Sequence, residues 1–138
     1  MFKKNSPKQI KLKLTKTRHL VCKSRINGLK AILLIDTGAS NSCISHAERE
    51  NFNIEENGKP FQASGAGKDK VNAVFGQQCD LILGKHAIGK HAVVMLDMQH
   101  INTSLIREKA KPINGILGAD FLIKNKAVID YRNKFLIL

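Results

Sequence analysis

Five consecutive apolar residues, Ala31-Ile32-Leu33-Leu34-Ile35, run directly into Asp36-Thr37-Gly38-Ala39-Ser40. A run of this length without alternation reads as a strand buried on both faces, and an acid stands where that strand must end. Gly38 lets the backbone turn sharply because it has no Cβ. A carboxylate in this place is costly unless backbone N–H groups and hydroxyls support its charge. The turn can supply N–H groups, and Thr37 and Ser40 can supply hydroxyls. Asp-Thr-Gly alone is also the composition of an ordinary surface turn. An exposed turn acid, however, needs no such apolar run before it.

The rest of the chain reads as β. Residues 10–14 alternate apolar and basic side chains, the period of a strand with one wet face. Residues 19–26 form a second strand, and Asn27-Gly28 is a strong hairpin signal leading into the buried run. Ser45-His46-Ala47-Glu48 matches a capping box and predicts a short helix from Ser45 to about Asn51. Residues 61–75 read as a hairpin whose flexible tip is Ser64-Gly65-Ala66-Gly67. Residues 79–83 and 92–96 are further strands, 119–123 a second short helix, and 127–131 with 135–138 a closing hairpin around Arg132-Asn133. The expectation is one all-β domain with two short helices, its strands spaced as in barrels and sandwiches.

Composition narrows the function classes. The 138 residues carry 23 Lys+Arg against 11 Asp+Glu, a formal charge of +12, and 43% are apolar, too many for a disordered chain. No apolar run nears the roughly 18–20 residues that span a bilayer, and the first residues hold no apolar h-region. A cytoplasmic protein without a membrane partner is expected. Cys22, Cys43 and Cys79 form no C-x-x-C pair and read as reduced thiols. Residues 1–30 hold ten Lys/Arg and no acid. Residues 1–18 therefore read as a basic arm capable of weak polyanion binding, with 19–138 as the folded domain. No aromatic interleaving accompanies the arm, so a solvated basic face is its simpler reading.

Asp36-Thr37-Gly38-Ala39-Ser40 resembles the active-site motif of the retropepsin-like aspartic proteases. Asn114-Gly115-Ile116-Leu117-Gly118-Ala119-Asp120-Phe121-Leu122 is similar to the family's second signature, two apolar residues and a glycine leading into a helix. Ala127-Val128-Ile129-Asp130-Tyr131 and Lys134-Phe135-Leu136-Ile137-Leu138 resemble its terminal hairpin, and Ser64-Gly65-Ala66-Gly67 sits where the family places its flap. The resemblance runs from about residue 26 to 138. It implies a closed acid-protease barrel with one or two short helices, no cofactor and no metal. It also implies an endopeptidase acting on an extended peptide, with Asp36 as the catalytic acid. Thr37, Gly38, Ala39, Ser40, Ile116, Leu117 and Gly118 are implied as support for the active-site loop. Ser64, Gly65, Ala66 and Gly67 are implied as the flap closing over substrate.

Such hydrolysis needs two carboxylates sharing one proton around a water. Asp69, Asp80, Asp97, Asp120 and Asp130 each lack a following Thr-Gly or Ser-Gly. A two-motif monomer is excluded, and the second Asp36 is expected from another copy across a two-fold axis. Position 39 is Ala where pepsin-like members carry Ser, which predicts a less depressed dyad and a mildly acidic pH optimum. Ser40 replaces the Asp of retroviral members, so their ion-pair brace to an Arg is missing.

Other readings fare less well. An aspartyl-phosphate enzyme would need alternating helices and strands. Gly65-Ala66-Gly67-Lys68 lacks the Ser/Thr and the first Gly of a phosphate loop. His86, His91 and His100 with Cys79 fit no zinc spacing. The alternative that stays open is a catalytically silent retropepsin fold serving as a dimerisation or peptide-binding module.

Overall fold

The computed structural model describes residues 6–64 and 70–138. In chain order the elements are Gln9–Lys11 (β1), Lys13–Leu14 (β2), Leu20–Ile26 (β3), Leu29–Ile35 (β4) and Cys43–Ser45 (β5). A 3-10 turn, His46–Glu48, precedes Phe61–Ser64 (β6), Lys70–Phe75 (β7), Cys79–Leu83 (β8), His86–His91 (β9) and Val94–Leu96 (β10). Gln99–Arg107 (α1), Gly115–Leu117 (β11), Ala119–Lys124 (α2), Val128–Asp130 (β12) and Phe135–Ile137 (β13) complete the fold.

The architecture grows from the β3–β4 hairpin. Asn27 and Gly28 both adopt positive φ, 49° and 85°, the backbone that a two-residue turn needs to follow the strand twist. β3 forms over the expected residues and alternates, with Leu20, Cys22, Ser24 and Ile26 buried. β4 is buried almost throughout its second half because Leu33 and Ile35 face the main core while Leu34 packs with Leu105 of α1 on the other side. In the plane of the sheet β11 pairs with β4 in parallel and with β5 antiparallel. The predicted buried strand thus lies mid-sheet and delivers Asp36 at its end.

The large sheet runs β6-β7-β10-β5-β11-β4-β3-β8-β9, with β2 adding to β3. β1, β13 and β12 form a separate three-stranded sheet. The class is all-β as expected, but the expected closure into a barrel is absent. β6 and β9 end the order and do not pair with each other among the described residues. The β8–β9 pairing at that end slips in register between Leu81 and Ile82, and Gly89 there adopts φ 97°.

Three local expectations change. The continuous strand over 10–14 divides between the two sheets, with Ile10 and Leu12 buried, so this part of the basic segment packs against the core. Ser45 belongs to β5 and caps nothing, and the helix predicted after it is the single turn His46–Glu48. Glu48 instead accepts Asn114 Nδ2 on both carboxylate oxygens, at 3.0 and 2.9 Å. The third change is α1, which the sequence reading left out. It covers the outer face of β4 by packing Leu105 among Leu34, Met98 and Ile113. Its predicted counterpart α2 packs Phe121 and Leu122 into the main core with Leu33, Met95 and Leu136. Among the described residues no helix is long and apolar enough to cross a membrane.

Candidate active site

Asp36 leaves the end of β4 tied to the second signature, its N–H donating to the Leu117 carbonyl at 3.0 Å. The chain then turns at once. Gly38 N–H donates to Asp36 Oδ1 at 2.9 Å, and Ala39 N–H returns to the Asp36 carbonyl at 3.3 Å. A Cβ on residue 38 would come within 3.2 Å of that same carboxylate oxygen, so glycine leaves the carboxylate room to sit over the turn. Asp36 is half-buried. Thr37 and Ser40 are exposed, and neither hydroxyl bonds the carboxylate within one chain.

Residues 115–120 brace this loop from beneath. Ile116 lies between Leu34 and Cys43, and buried Leu117 pairs with Ile35. Gly118 passes so close that a Cβ there would meet the Ala39 carbonyl oxygen at 2.6 Å and Asn41 backbone at 2.9 Å. Two further N–H groups reach the loop: Ala119 donates to the Ala39 carbonyl at 2.7 Å and Asp120 to the Ser40 carbonyl at 3.2 Å.

Three polar side chains that the sequence reading did not assign complete the brace. Asp120 Oδ1 accepts both the N–H of Ser42 at 2.9 Å and its hydroxyl at 2.8 Å. Ser42 Oγ accepts the Gly118 N–H at 3.0 Å. Asp120 Oδ2 lies 3.1 Å from Nε2 of buried His91, whose ring meets Phe121 edge-on. Burial works against the Asp120 charge. Hydrogen bonds from the Ser42 N–H and hydroxyl, the Phe121 N–H and His91 outweigh it and hold the carboxyl below its ordinary value. The available signal was an acid inside the apolar run Ile116 to Leu122, where a charge persists only with partners. Burial, and then the charges of Asp120 and Asp36, push the neighbouring Cys43 thiol up to about 11, so it stays protonated and unreactive near neutrality.

The β6–β7 hairpin forms as predicted up to Ser64, which pairs with Lys70. Gly65, Ala66 and Gly67 lie outside the described residues. At the base of the hairpin Phe61 and Phe75 stack with ring centroids 4.8 Å apart.

The sequence profile described as "Aspartyl protease" matches residues 22–121, most of the chain and every element of this site. The chain belongs to the aspartyl protease family. No curated protein matches it. Solved structures share its retropepsin-like fold. The retroviral protease-like domain of Ddi1 from Leishmania major is 18% identical, with 86% of each chain covered and a TM-score of 0.58. A retropepsin-like aspartic protease from Rickettsia conorii is 16% identical over 100% of this chain and 96% of its own, also with a TM-score of 0.58. The EIAV protease, in complex with an inhibitor, is 21% identical, covering 80% and 90%, with a TM-score of 0.50. Membership of the aspartyl protease family supports a protease-type function.

Proposed function

We propose that the chain is an aspartic endopeptidase whose active unit is a homodimer, with one Asp36 from each subunit. The observation that carries this reading is the loop itself: a lone Asp-Thr-Gly whose half-buried Asp36 is anchored on Leu117 and supported by the Gly38 N–H. Its surroundings favour self-association. Thr37 borders a hollow lined by Ala119, Leu122, Ile123, Lys126 and Ala127. Ile123, which lines that hollow with Thr37, is 76% exposed, a bare apolar side chain beside the catalytic loop. A second copy meeting this face would bury it and bring the two carboxylates together.

In that dimer the two carboxylates, about 3 Å apart, share one proton because both cannot be ionised at that separation. The ionised Asp36 takes a proton from the water as it attacks the scissile carbonyl, and the protonated one donates toward the carbonyl oxygen. The pair later delivers a proton to the leaving amine. Paired Thr37 residues lock the two loops, and the tip beyond Ser64 closes over an extended peptide bound through its main chain.

Digestion of a peptide library between about pH 3 and 8, with Asp36→Asn alongside, tests the assignment. Cleavage by the wild type only, with specific activity falling on dilution as the dimer dissociates, is the expected result. Wild type and Asp36→Asn equally inert, yet both dimeric and peptide-binding, would make the chain a silent module.

A further inference from the structure

The outer face of the sheet at β3 carries cations for which peptide hydrolysis has no use. β3 buries Leu20, Cys22, Ser24 and Ile26, so Val21, Lys23 and Arg25 point the other way. Lys30 of β4 stands directly opposite Arg25, and Lys13 of β2 opposite Val21. Across the other edge of β3, Ile82 of β8 faces Arg25, and two residues before it Asp80 is paired with Lys90 of β9. The strand residues of this face thus include Lys13, Lys23, Arg25, Lys30 and Lys90, all exposed, against the single strand acid Asp80, next to the part of the face where Val21 and Ile32 pack beneath α1. Among the described residues none of these five cations forms an ion pair. Arg25 and Lys30 are like charges in direct cross-strand opposition, an arrangement that weakens a sheet standing alone. Arg25 Nη1 donates to the Gly28 carbonyl at 3.1 Å, which fixes the guanidinium over the hairpin turn.

We propose that this face binds the phosphate backbone of nucleic acid without reading its bases. Neighbouring cations on a sheet stand about 5–7 Å apart, a separation comparable to the step between consecutive phosphates along a strand. A rigid array of this kind gains by releasing counterions, and a bound polyanion relieves the Arg25–Lys30 repulsion. The exposed face offers no aromatic ring on which a base could stack, so contact stays with the backbone. A bilayer surface fits less well. The exposed apolar residues nearest the cations, Leu14 and Leu29, alternate with Lys13 and Lys30 and leave their strands on the opposite side. Lys30 lies six residues before Asp36 on an extended strand, about 20 Å away. The face therefore works independently of the loop, whether or not the peptidase reading holds.

Fluorescence anisotropy with a labelled single-stranded oligonucleotide, titrated over a salt series, tests the assignment. A triple variant, Lys23→Gln, Arg25→Gln and Lys30→Gln, is compared with a control of equal charge loss elsewhere, Lys59→Gln, Arg132→Gln and Lys134→Gln. The expected result is at least a tenfold loss of affinity in the first variant, with a salt slope shallower by about 2. The control should lose several-fold less, and peptide cleavage should be unchanged in both. Equal losses in the two variants would reduce the effect to net charge and overturn the proposal. So would the absence of oligonucleotide binding by the wild type, or binding confined to phosphatidylserine vesicles.

Discussion

Asp120 and Ser42, 78 residues apart in sequence, are joined twice through one carboxylate oxygen, which accepts the Ser42 N–H at 2.9 Å and the Ser42 hydroxyl at 2.8 Å. Because Ser42 Oγ also accepts the Gly118 N–H, the pair links the loop carrying Asp36 to the segment beneath it. Removing the carboxylate strands donors in a partly buried place, at a cost of about 1–3 kcal/mol. Asp120→Ala should therefore lower the melting temperature by several degrees and reduce kcat more than it alters KM. Asp120→Asn keeps an oxygen acceptor and should recover most of both. Thermal melts beside steady-state peptide cleavage read the two effects. An Asp120→Ala protein with wild-type kcat would separate this brace from catalysis.

The same carboxylate predicts a pH dependence. The folded-state value of Asp120 lies below its ordinary 3.8, since the hydrogen bonds from Ser42, Phe121 and His91 outweigh the effect of burial. A group depressed in this way stabilises the fold above its unfolded value, and the stabilisation is lost as pH falls through the folded one. Urea midpoints should accordingly decline below about pH 4, with a shallower decline in Asp120→Asn. Parallel curves for the two proteins would assign the acid sensitivity to other carboxylates.

Gly118 has no room for a side chain. The atoms a Cβ would meet are backbone, the Ala39 oxygen at 2.6 Å and Asn41 at 2.9 Å, and backbone cannot rotate away as a flexible side chain can. Its own φ of −100° is open to any residue, so the constraint is contact and not torsional strain. Gly118→Ala should cost about 1–3 kcal/mol and displace the Asp36 loop, abolishing turnover well below the melting temperature. Denaturant titration and cleavage at 20–30 degrees below the midpoint (roughly, for a domain of this size) distinguish displacement from simple unfolding.

How far the sequence speaks differs from element to element. The strand ending at Asp36 was legible because nothing but a doubly buried position explains residues 31–35, and Asn27-Gly28 because the turn demands positive φ at both residues. α2 and the terminal hairpin β12–β13 were legible from apolar runs bounded by turn residues. α1 was not, because Leu105 is its one buried residue, Ile101 is only half-buried, Ile106 is exposed and the remainder is polar. The 45–48 capping box misled, since its residue types are present while Ser45 is claimed by pairing with Leu96. Sheet closure was never readable from strand spacing, which does not say whether two distant edges meet. Of the site, the Asp36 turn and its glycines could be named from residue types alone. The Asp120–Ser42–His91 brace could not, because its members come from three separate elements and meet only in the fold.

Ala39 offers a direct probe of the proposed carboxylate pair. A hydroxyl at this position would donate toward the loop carboxylate and favour its charged form. Ala39→Ser should move the acid limb of the pH–rate profile for peptide cleavage to lower pH, with little change in the alkaline limb. An unmoved acid limb would mean that residue 39 does not sense the dyad.

The exposed apolar surface beside Thr37 supplies the last prediction. Ile123 is 76% exposed on α2, so replacing it with Glu should change the stability of the single subunit by no more than about 0.5 kcal/mol. In a dimer closed over this face the same carboxylate would be buried without a partner and would oppose its symmetry mate. Ile123→Glu should therefore weaken dimerisation at least about tenfold, equivalent to about 1.4 kcal/mol, while leaving the melting behaviour of the monomer intact. Sedimentation velocity over a dilution series measures the first effect, and specific activity at the same concentrations measures its consequence. At high enzyme concentration the variant should regain activity, because mass action restores the pair of Asp36 residues without altering either one. Activity independent of concentration in both proteins would place the second carboxylate somewhere other than on a second copy across this face.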